Sequence, residues 1–286
     1  MAFEPPATES VVREPSLLFV IPAFNEHRCI ADVVRCARDA VPEADIVVID
    51  DGSSDETAPE ARRAGAFVLS HPFNLGIGGA VQTGLKFARR RRYDYVLRID
   101  GDGQHDPRAL RPLLASVRAG EADVVVGSRF LGGHTELEIP LLRRLGIELF
   151  AREVSWLIGT RATDPTSGLV VMNRRAVDVL AAYMPQDYPE VESRIILHAA
   201  GLATREAPVK MGERLAGASS IGRWRSAYYA LKVSIAVLFA SFKRTPRVAT
   251  SNLEVVDARP AISSRGGYQR GSADGHDPAR PPTSAT

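Results

Sequence analysis

Four side chains that carry oxygen follow one apolar stretch of the chain. They are Asp100, Asp102, Gln104 and Asp106, in the segment YVLRIDGDGQHDP at 95–107. In an extended backbone Asp100 and Asp102 would reach one point, and Gln104 would add an oxygen at the next alternate position. Because all these ligands are oxygens, the spacing predicts a site for Mg²⁺ or Mn²⁺. Asp106 precedes a proline and is predicted to cap the next helix. An Asp-x-Asp pair taken alone could also be a turn or a helix cap, which is the alternative for Asp100 and Asp102.

Two other apolar stretches end in polar residues in the same way. The first is VIPAFNE at 20–26, and the second is IVVIDDGSSDET at 46–57, with Asp50 and Asp51 at its strand end. In open α/β sheets ligands bind outside the carboxyl ends of the strands, so three such ends predict one site. Asp50 and Asp51 could instead cap the following helix, but two serines and a third acid lie directly after them for that purpose. We therefore favour a ligand role for both, accepting from a ribose hydroxyl or a base N–H.

The elements that would position these residues alternate along the chain. Apolar, β-branched stretches are followed by segments with helical periodicity, which predicts an α/β fold with a Rossmann-like, mostly parallel sheet. The strands are apolar throughout, as expected where helices cover both faces of a sheet. Predicted strands lie at 17–21, 45–50, 66–70, 95–99, 123–127, 168–173 and 204–210, and predicted helices at 27–40, 54–65, 76–92, 107–119, 138–159, 190–201 and 222–243.

The segment NLGIGGAVQTGLKFA at 74–88 is rich in glycine where a helix is predicted to start. It departs at Val81 from the Gly-x-Gly-x-x-Gly pattern of dinucleotide-binding folds, and it lacks the Lys-Ser/Thr of a P-loop. Gly78 and its neighbours are therefore predicted to let the helix begin close to a bound ligand. The departure from the Gly-x-Gly-x-x-Gly spacing disfavours a dehydrogenase that binds a dinucleotide.

The composition is that of a globular protein without a strong charge excess. Hydrophobic residues make up 45% of the chain, and 36 basic against 34 acidic residues give a net charge of +2, which argues against a nucleic-acid partner. The only cysteines are Cys29 and Cys36, and their spacing predicts reduced thiols packed on one face of a helix in a cytoplasmic protein. No segment resembles a signal peptide, so we do not expect secretion by a standard signal. No stretch of 18 uncharged apolar residues occurs, so we expect no clear membrane span.

Basic and apolar residues gather in the C-terminal part of the chain. Between 207 and 247 there are eight Lys or Arg residues and one acid, and SAYYALKVSIAVLFASF at 226–242 is largely apolar. This stretch predicts a helix that lies in a membrane interface near anionic lipids, with an ordinary core-packing helix as the alternative. The predicted organisation is a flexible segment at 1–15, one α/β domain at 16–221, this apolar helix at 222–244 and a disordered tail at 245–286.

Six segments occur in the order of a known family. IPAFNE, VVIDDGSSDET, NLGIGGAVQTG, RIDGDGQHDP, VGSRF and TDPTSG resemble the motifs of family 2 glycosyltransferases of GT-A fold, a family that includes dolichol-phosphate mannose synthase and the bacterial polyprenyl-phosphate glycosyltransferases. The likeness spans about residues 16–243. It implies a metal-dependent, inverting transfer from a nucleotide sugar, with UDP as the expected nucleotide. By this resemblance Pro22, Ala23, Asn25, Glu26 and Asp51 line the nucleotide pocket, Asp100, Asp102 and Gln104 hold the metal, and Arg129 meets phosphate charge.

The acceptor side departs from the family pattern in two places. Gly168 is followed by Leu169 rather than by the Phe-Arg of many relatives. Many relatives also have a Lys near the end of a later loop, and this chain has Ser219 in that region instead. Arg214 is the candidate for a second phosphate contact. A phosphate-monoester acceptor is largely dianionic at pH 7 and needs no base, whereas a hydroxyl acceptor needs one. Further acceptor-side candidates are Ser167 and three acids that could act as that base, Asp164, Glu190 and Glu192.

The resemblance implies a polyprenyl phosphate acceptor at the cytoplasmic face of the cell membrane. We expect a peripheral enzyme there, because the two C-terminal spans of some relatives have no counterpart in this sequence. A small membrane-protein partner that seats residues 222–243 is predicted in their place. The alternatives are the same donor chemistry with a soluble glycan or small metabolite, and a scaffold that binds a sugar nucleotide without turnover.

Overall fold

The computed structural model describes residues 14–131, 141–159, 161–185 and 189–209. Strands and helices alternate along most of this part of the chain. The strands are β1 Leu17–Ala23, β2 Asp45–Asp50, β3 Phe67–Ser70, β4 Tyr95–Arg98, β5 Val124–Ser128, β6 Val170–Asn173 and β7 Thr204–Pro208. The α-helices are α1 Ile30–Ala40, α2 Thr57–Arg63, α3 Gly76–Arg90, α4 Leu110–Arg118, α5 Leu141–Ile158, α6 Arg174–Tyr183 and α7 Pro189–Ala199.

The strands form one seven-stranded sheet in the order β3-β2-β1-β4-β6-β5-β7. Strand β6 runs antiparallel to β4 and β5, and the other neighbouring pairs are parallel. This confirms the predicted α/β class with a mostly parallel sheet. Because parallel strands share a direction, the carboxyl ends of β1, β2 and β4 lie at the same edge.

Helices bury apolar side chains against both faces of the sheet, as the apolar strands predicted. On one face Phe19 and Leu97 pack with residues of α1 and α4 such as Val34. On the other face Val20 packs with residues of α3, α6 and α7 such as Leu85. Successive strand residues point to opposite faces, so the strands contribute to two separate cores and hold the polar loops at their ends in fixed positions.

Side-chain caps mark two helical starts, of which one was predicted. Asp106 has an extended backbone and accepts from the Arg108 N–H at 2.9 Å, which confirms its capping role before a 3₁₀ turn at Pro107–Ala109. Asn173 caps α6 by accepting from the Ala176 N–H at 3.1 Å. Helix α6 was absent from the sequence prediction, although asparagine is a strong N-terminal cap signal.

The two cysteines are free thiols with different surroundings. Cys29 is buried and precedes α1, whereas Cys36 lies within α1 and is exposed. The prediction that both pack on one helix face is therefore wrong, because the helix begins only after Cys29.

Several predictions lie outside the described residues. These are the apolar helix at 222–244, the tail at 245–286, nearly all of the segment at 1–15, and the acceptor-side candidates Arg214 and Ser219. Within the described ranges, no helix combines the length and the apolar character needed to cross a bilayer.

Candidate active site

The carboxyl ends of β1, β2 and β4 border a cavity of about 310 Å³. The register of the parallel strands places Ala23 beside Asp50, and after β4 the Gly101 N–H donates to the Pro22 carbonyl oxygen of β1 at 3.1 Å. The start of α3 also lines the cavity. Sequence reasoning placed a ligand site at this edge. The predicted site residues among the lining are Pro22, Ala23, Glu26, Asp51, Asp100 and Asp102.

Asp100 and Asp102 follow β4 on a turn rather than on extended backbone. The strand ends at Arg98, and Gly103 has a φ of 74°, a left-handed conformation that favours glycine. The backbone N–H of Gln104 donates to Asp102 Oδ1 at 3.1 Å. The expected alternation of three ligands along an extended strand is therefore wrong. Asp100 and Asp102 both line the cavity while Gln104 lies outside its described lining, so a metal-binding role for Gln104 stays a prediction.

Two glycines allow other backbone segments to approach this turn closely. A β-carbon on Gly168 would overlap both carboxylate oxygens of Asp100, so the loop before β6 lies directly against that carboxylate. A β-carbon on Gly101 would lie 3.0 Å from the carbonyl oxygen of Pro22 at the end of β1. A larger side chain at residue 168 would have to displace Asp100.

Asp100 lies beside a buried cation and a buried imidazole. Burial alone would raise the pKa of Asp100, but the Arg98 guanidinium and, after it, His105 hold that pKa below its ordinary value. Burial lowers the pKa of His105 despite the nearby carboxylates, and its Nδ1 accepts from the Asp100 N–H at 3.4 Å. At neutral pH Asp100 is therefore an ionised carboxylate next to the His105 imidazole.

Asp51 is held by one side chain and by the start of α3. Its Oδ1 lies 2.7 Å from His71 Nδ1 and accepts from the Leu75 N–H at 2.9 Å, while Oδ2 accepts from the Gly76 N–H at 2.8 Å. His71 Nε2 lies 2.9 Å from Thr83 Oγ1. Each carboxylate oxygen can accept two hydrogen bonds, so Oδ2 keeps room for a further donor. Sequence reasoning gave no role to His71, because a histidine without nearby ligand spacing carries no local signal.

Three residues predicted to bind nucleotide lie beside the cavity rather than in its described lining. Asp50 Oδ1 accepts from the Ser53 N–H at 3.2 Å and so fixes the turn after β2. Asn25 has a φ of 56°, and its Oδ1 accepts from the Ser54 N–H at 2.9 Å. Gly78 is buried in the first turn of α3. For Asp50, Asn25 and Gly78 nucleotide binding stays a prediction, and the geometry favours Asp51 over Asp50.

Arg129 and Asp164, predicted for different roles, form one ion pair. Arg129 Nε and Nη2 each lie 2.7 Å from an oxygen of the Asp164 carboxylate, whose side chain is fully buried. Burial alone would raise the pKa of Asp164, but its bonds to Arg129 hold it below its ordinary value. This arrangement disfavours Asp164 as a base, because a carboxylate bound this tightly to a cation accepts a proton poorly.

A second buried pair holds the same loop from the other side. Arg194 of α7 lies 2.6 Å from Glu206 of β7 and also donates to the Asp164 carbonyl oxygen at 2.6 Å. Glu206 accepts from the backbone N–H groups of Thr163 and Asp164 at 2.8 and 3.1 Å. Sequence reasoning missed both charges. The available signal was that Arg194 shares the buried face of α7 with Val191.

The remaining acceptor-side candidates lie before β6 and at the start of α7. Ser167 is buried, and its Oγ accepts from the Leu169 N–H at 3.3 Å. Glu190 Oε1 accepts from Arg98 Nη2 at 2.7 Å. Glu192 lies in the same first turn of α7 as Glu190. Glu190 is therefore bound to β4, the strand that leads to Asp100, although Glu190 does not line the cavity itself.

The donor set fits a hard divalent cation as an incomplete site. Glu26, Asp51, Asp100 and Asp102 bring carboxylate oxygens to one cavity. Within the described residues, no three His, Cys, Asp or Glu side chains converge closely enough to hold a metal by themselves. Mg²⁺ is usually held by one or two carboxylates together with substrate phosphates. Asp100 and Asp102 therefore suit a metal that binds together with a diphosphate.

The fold is similar to that of several solved structures. One is glucosyl-3-phosphoglycerate synthase from Mycobacterium tuberculosis in complex with Mn²⁺, UDP and phosphoglyceric acid. The TM-score is 0.59 at 21% sequence identity, and the match covers 80% of this chain and 78% of that one. At this identity the likeness supports the GT-A fold.

Sequence comparison adds the family. Undecaprenyl-phosphate mannosyltransferase of Micrococcus luteus is 31% identical over 221 residues, which cover 72% of this chain and 87% of the relative. Polyprenol monophosphomannose synthase of Mycolicibacterium smegmatis is 31% identical over 232 residues, which cover 77% and 85%. The protein-family model described as "Glycosyl transferase family 2" matches residues 18–180 of this chain. The chain belongs to glycosyl transferase family 2 and is a sugar-transferring enzyme.

Proposed function

We propose that this enzyme transfers a sugar from a UDP-sugar to a polyprenyl phosphate, with Mg²⁺ or Mn²⁺ and with inversion at the anomeric carbon. The observation that carries the proposal is the acidic cavity in which Asp51, the start of α3 and the Asp100–Asp102 turn meet. Two relatives that match over 87% and 85% of their own lengths are named for polyprenyl acceptors, which supports this acceptor class.

The donor nucleotide would bind between β1, β2 and α3. Asp51 Oδ2 can accept one further hydrogen bond, as from a base N–H or a ribose hydroxyl. Phe24 lines the same cavity with 45% of its surface exposed, so it offers an aromatic face to a base. UDP is favoured because the similarly folded synthase binds UDP with Mn²⁺.

Asp100 and Asp102 would hold the divalent cation. When bound, the cation would offset the negative charge that develops on the departing nucleoside diphosphate. Arg98 holds the pKa of Asp100 low, so this carboxylate needs to lose no proton before a cation or a donor binds. Gly168 keeps the acceptor-side loop in contact with Asp100, so the two halves of the reaction would take place side by side.

A phosphate acceptor suits the acceptor side because two of the candidate bases there are bound to arginines. Asp164 is bound to Arg129, and Glu190 is bound to Arg98. A phosphate monoester is mostly dianionic at pH 7 and can attack without a base. For either of these carboxylates to serve a hydroxyl acceptor, a buried or half-buried ion pair would have to break first.

The proposed acceptor places the enzyme at the cytoplasmic face of the cell membrane as a peripheral protein. The eight basic residues between 207 and 247 and the apolar stretch at 226–242 suit contact with anionic lipids. We propose that residues 222–244 make this contact, helped by a small membrane-protein partner. Arg214 would meet acceptor phosphate, with Ser219 nearby in the sequence.

A radiolabel transfer assay in detergent tests the proposal. The full chain would be incubated with Mn²⁺ or Mg²⁺, a polyprenyl phosphate and labelled UDP- or GDP-sugars. A labelled lipid that is lost with EDTA and in Asp102→Ala is the expected result. Metal-dependent release of free sugar without lipid product, even with membranes added, would overturn the lipid acceptor in favour of a soluble one. Nucleotide binding with no turnover would overturn the transfer itself.

A further inference from the structure

A fully charged side chain lies in the apolar interior beside the donor site. Arg98 is on the same face of β4 as Val96, which packs into the core formed with α3, α6 and α7. Its side chain is 4% exposed, and it borders a small interior cavity of about 30 Å³ together with apolar residues such as Val126 and Leu180. A buried charge is costly unless it is paired, so the partners of Arg98 determine what it does.

One nitrogen of Arg98 is shared by two carboxylates from different parts of the fold. Nη2 lies 2.7 Å from Glu190 Oε1 at the start of α7 and 3.3 Å from Asp100 Oδ1 in the donor site. Among the described residues, Arg98 Nε has no hydrogen-bond partner. The position of the guanidinium is therefore set by the balance between Glu190 and Asp100.

The two contacts are unequal. The distance to Glu190 is that of a strong charge-assisted hydrogen bond, whereas the distance to Asp100 lies at the long end of the range. Asp100 is also the more accessible carboxylate, with 32% of its side chain exposed against 19% for Glu190. Arg98 thus forms its stronger ion pair with Glu190. Asp100 remains available to a cation on its exposed side.

We propose that Glu190 is a positioning residue that holds Arg98 away from Asp100, so that the guanidinium does not compete with the divalent cation for the Asp100 carboxylate. This role rests on the proposed function, because it gives Asp100 a metal to bind. It differs from the role of a base, since Glu190 then acts through Arg98 rather than on the acceptor. It also links the start of α7, on the acceptor side, to the metal-binding carboxylate on the donor side.

A double-mutant cycle on Mn²⁺ binding tests the role. Free Mn²⁺ would be measured by electron paramagnetic resonance in the presence of UDP, for the full-length chain, Glu190→Gln, Arg98→Met and the double variant. With Arg98 present, Glu190→Gln lets the guanidinium close on Asp100, and we expect Mn²⁺ to bind about tenfold more weakly. In the Arg98→Met background the same change should alter Mn²⁺ binding by less than about twofold, because the intermediary is missing.

Folding must be controlled, because Arg98→Met leaves two carboxylates without their cation. Arg98→Gln, which can still donate to Glu190, provides a second background, and thermal unfolding is recorded for each protein. Tyr93→Phe is the control for a purely structural loss. It removes a partly buried hydrogen bond of 2.6 Å to Asp45, at the edge of the sheet opposite the site, so it should lower stability without changing Mn²⁺ binding.

The outcomes separate this role from the proposed function. Equal weakening by Glu190→Gln in both backgrounds would overturn the coupling through Arg98, since it would reflect only a lost negative charge. Unchanged Mn²⁺ binding with a large fall in transfer rate would also overturn it and would favour a base. If the unaltered chain bound no Mn²⁺ in the presence of UDP, or Asp102→Ala bound it equally well, the proposed metal site would fail instead.

Discussion

The site has two edges that are held in place by different interactions. The donor edge consists of the ends of β1, β2 and β4 with the start of α3, and the acceptor edge consists of the loop before β6 with the start of α7. At the donor edge, backbone groups predominate: Asp51 accepts from two N–H groups at the start of α3, and Gly101 donates to the Pro22 carbonyl oxygen at 3.1 Å. At the acceptor edge, ion pairs between distant residues predominate. They are Arg129–Asp164 and Arg194–Glu206, and a third pair, Arg98–Glu190, joins this edge to Asp100 at the donor edge.

This difference predicts how each edge responds to substitution. Backbone contacts at the donor edge persist when a supporting side chain is removed. Substitutions there should therefore weaken ligand binding and catalysis. Each acceptor-edge arginine is bound to a carboxylate in a buried or half-buried position, so removing one partner leaves the other charge uncompensated. Losses there should appear first in the stability of the fold.

The largest effect is expected at the donor edge, from Asp102→Ala. This change removes one of the two carboxylates proposed to hold the cation, and transfer should fall about 10³-fold with little change in thermal stability. The matched control is Asp106→Ala, which removes a nearby carboxylate that caps a 3₁₀ turn and should lower stability by about 1 kcal/mol while transfer persists. Metal-dependent transfer within tenfold of normal in Asp102→Ala would remove Asp102 from the metal site.

At the acceptor edge, Asp164→Asn should destabilise the fold. It leaves the Arg129 guanidinium without its charged partner, and the free energy of unfolding at pH 7 should fall by about 3 kcal/mol in urea titrations. Glu121→Gln, in an exposed pair with Arg205, should cause no measurable change. Full stability of Asp164→Asn with abolished transfer would instead restore Asp164 as a candidate base.

The same pair gives a pH dependence with a defined sign. Arg129 holds the pKa of Asp164 below its ordinary value, so the stabilisation is complete above the unfolded-state pKa of about 3.9 and is lost as pH falls through the lower folded-state pKa. The stability gap between the unaltered chain and Asp164→Asn should therefore shrink below about pH 4. A gap that is constant from pH 7 to pH 3 would show that the pair does not supply the difference.

The same contrast explains what could be predicted from the sequence. Asp51, Asp100 and Asp102 could be found because each follows an apolar strand within a short segment, and parallel strands bring such ends to one edge. The turn at Gly103 could not be foreseen from alternation alone, so the expected geometry of Gln104 was wrong. Pairs such as Arg98 with Glu190, 92 residues apart, leave no local pattern, because their partners are set by the packing of α7.

Gly168→Ala tests the point where the two edges touch. The added methyl group would overlap the Asp100 carboxylate, and a displacement of about 1 Å in a catalytic group can lower the rate about 100-fold. Transfer should fall by that order, and Mn²⁺ should bind more weakly. Gly84→Ala is the matched control, because its methyl group would overlap Val20 in the core and should reduce stability rather than Mn²⁺ affinity. Similar losses in both variants would indicate a general packing defect.

The smallest effect is expected from His71→Ala at the donor edge. His71 is one of three groups bound to Asp51, and the N–H groups of Leu75 and Gly76 would still hold that carboxylate. The loss of one hydrogen bond should weaken UDP binding about fivefold in calorimetric titrations, with the unfolding temperature nearly unchanged. His27→Ala, an exposed histidine bonded to Asp55 in the neighbouring loop, should leave UDP binding intact. If His71→Ala abolished UDP binding, the donor edge would depend on a single side chain as strongly as the acceptor edge does, and the contrast between backbone support and ion-pair support would not hold.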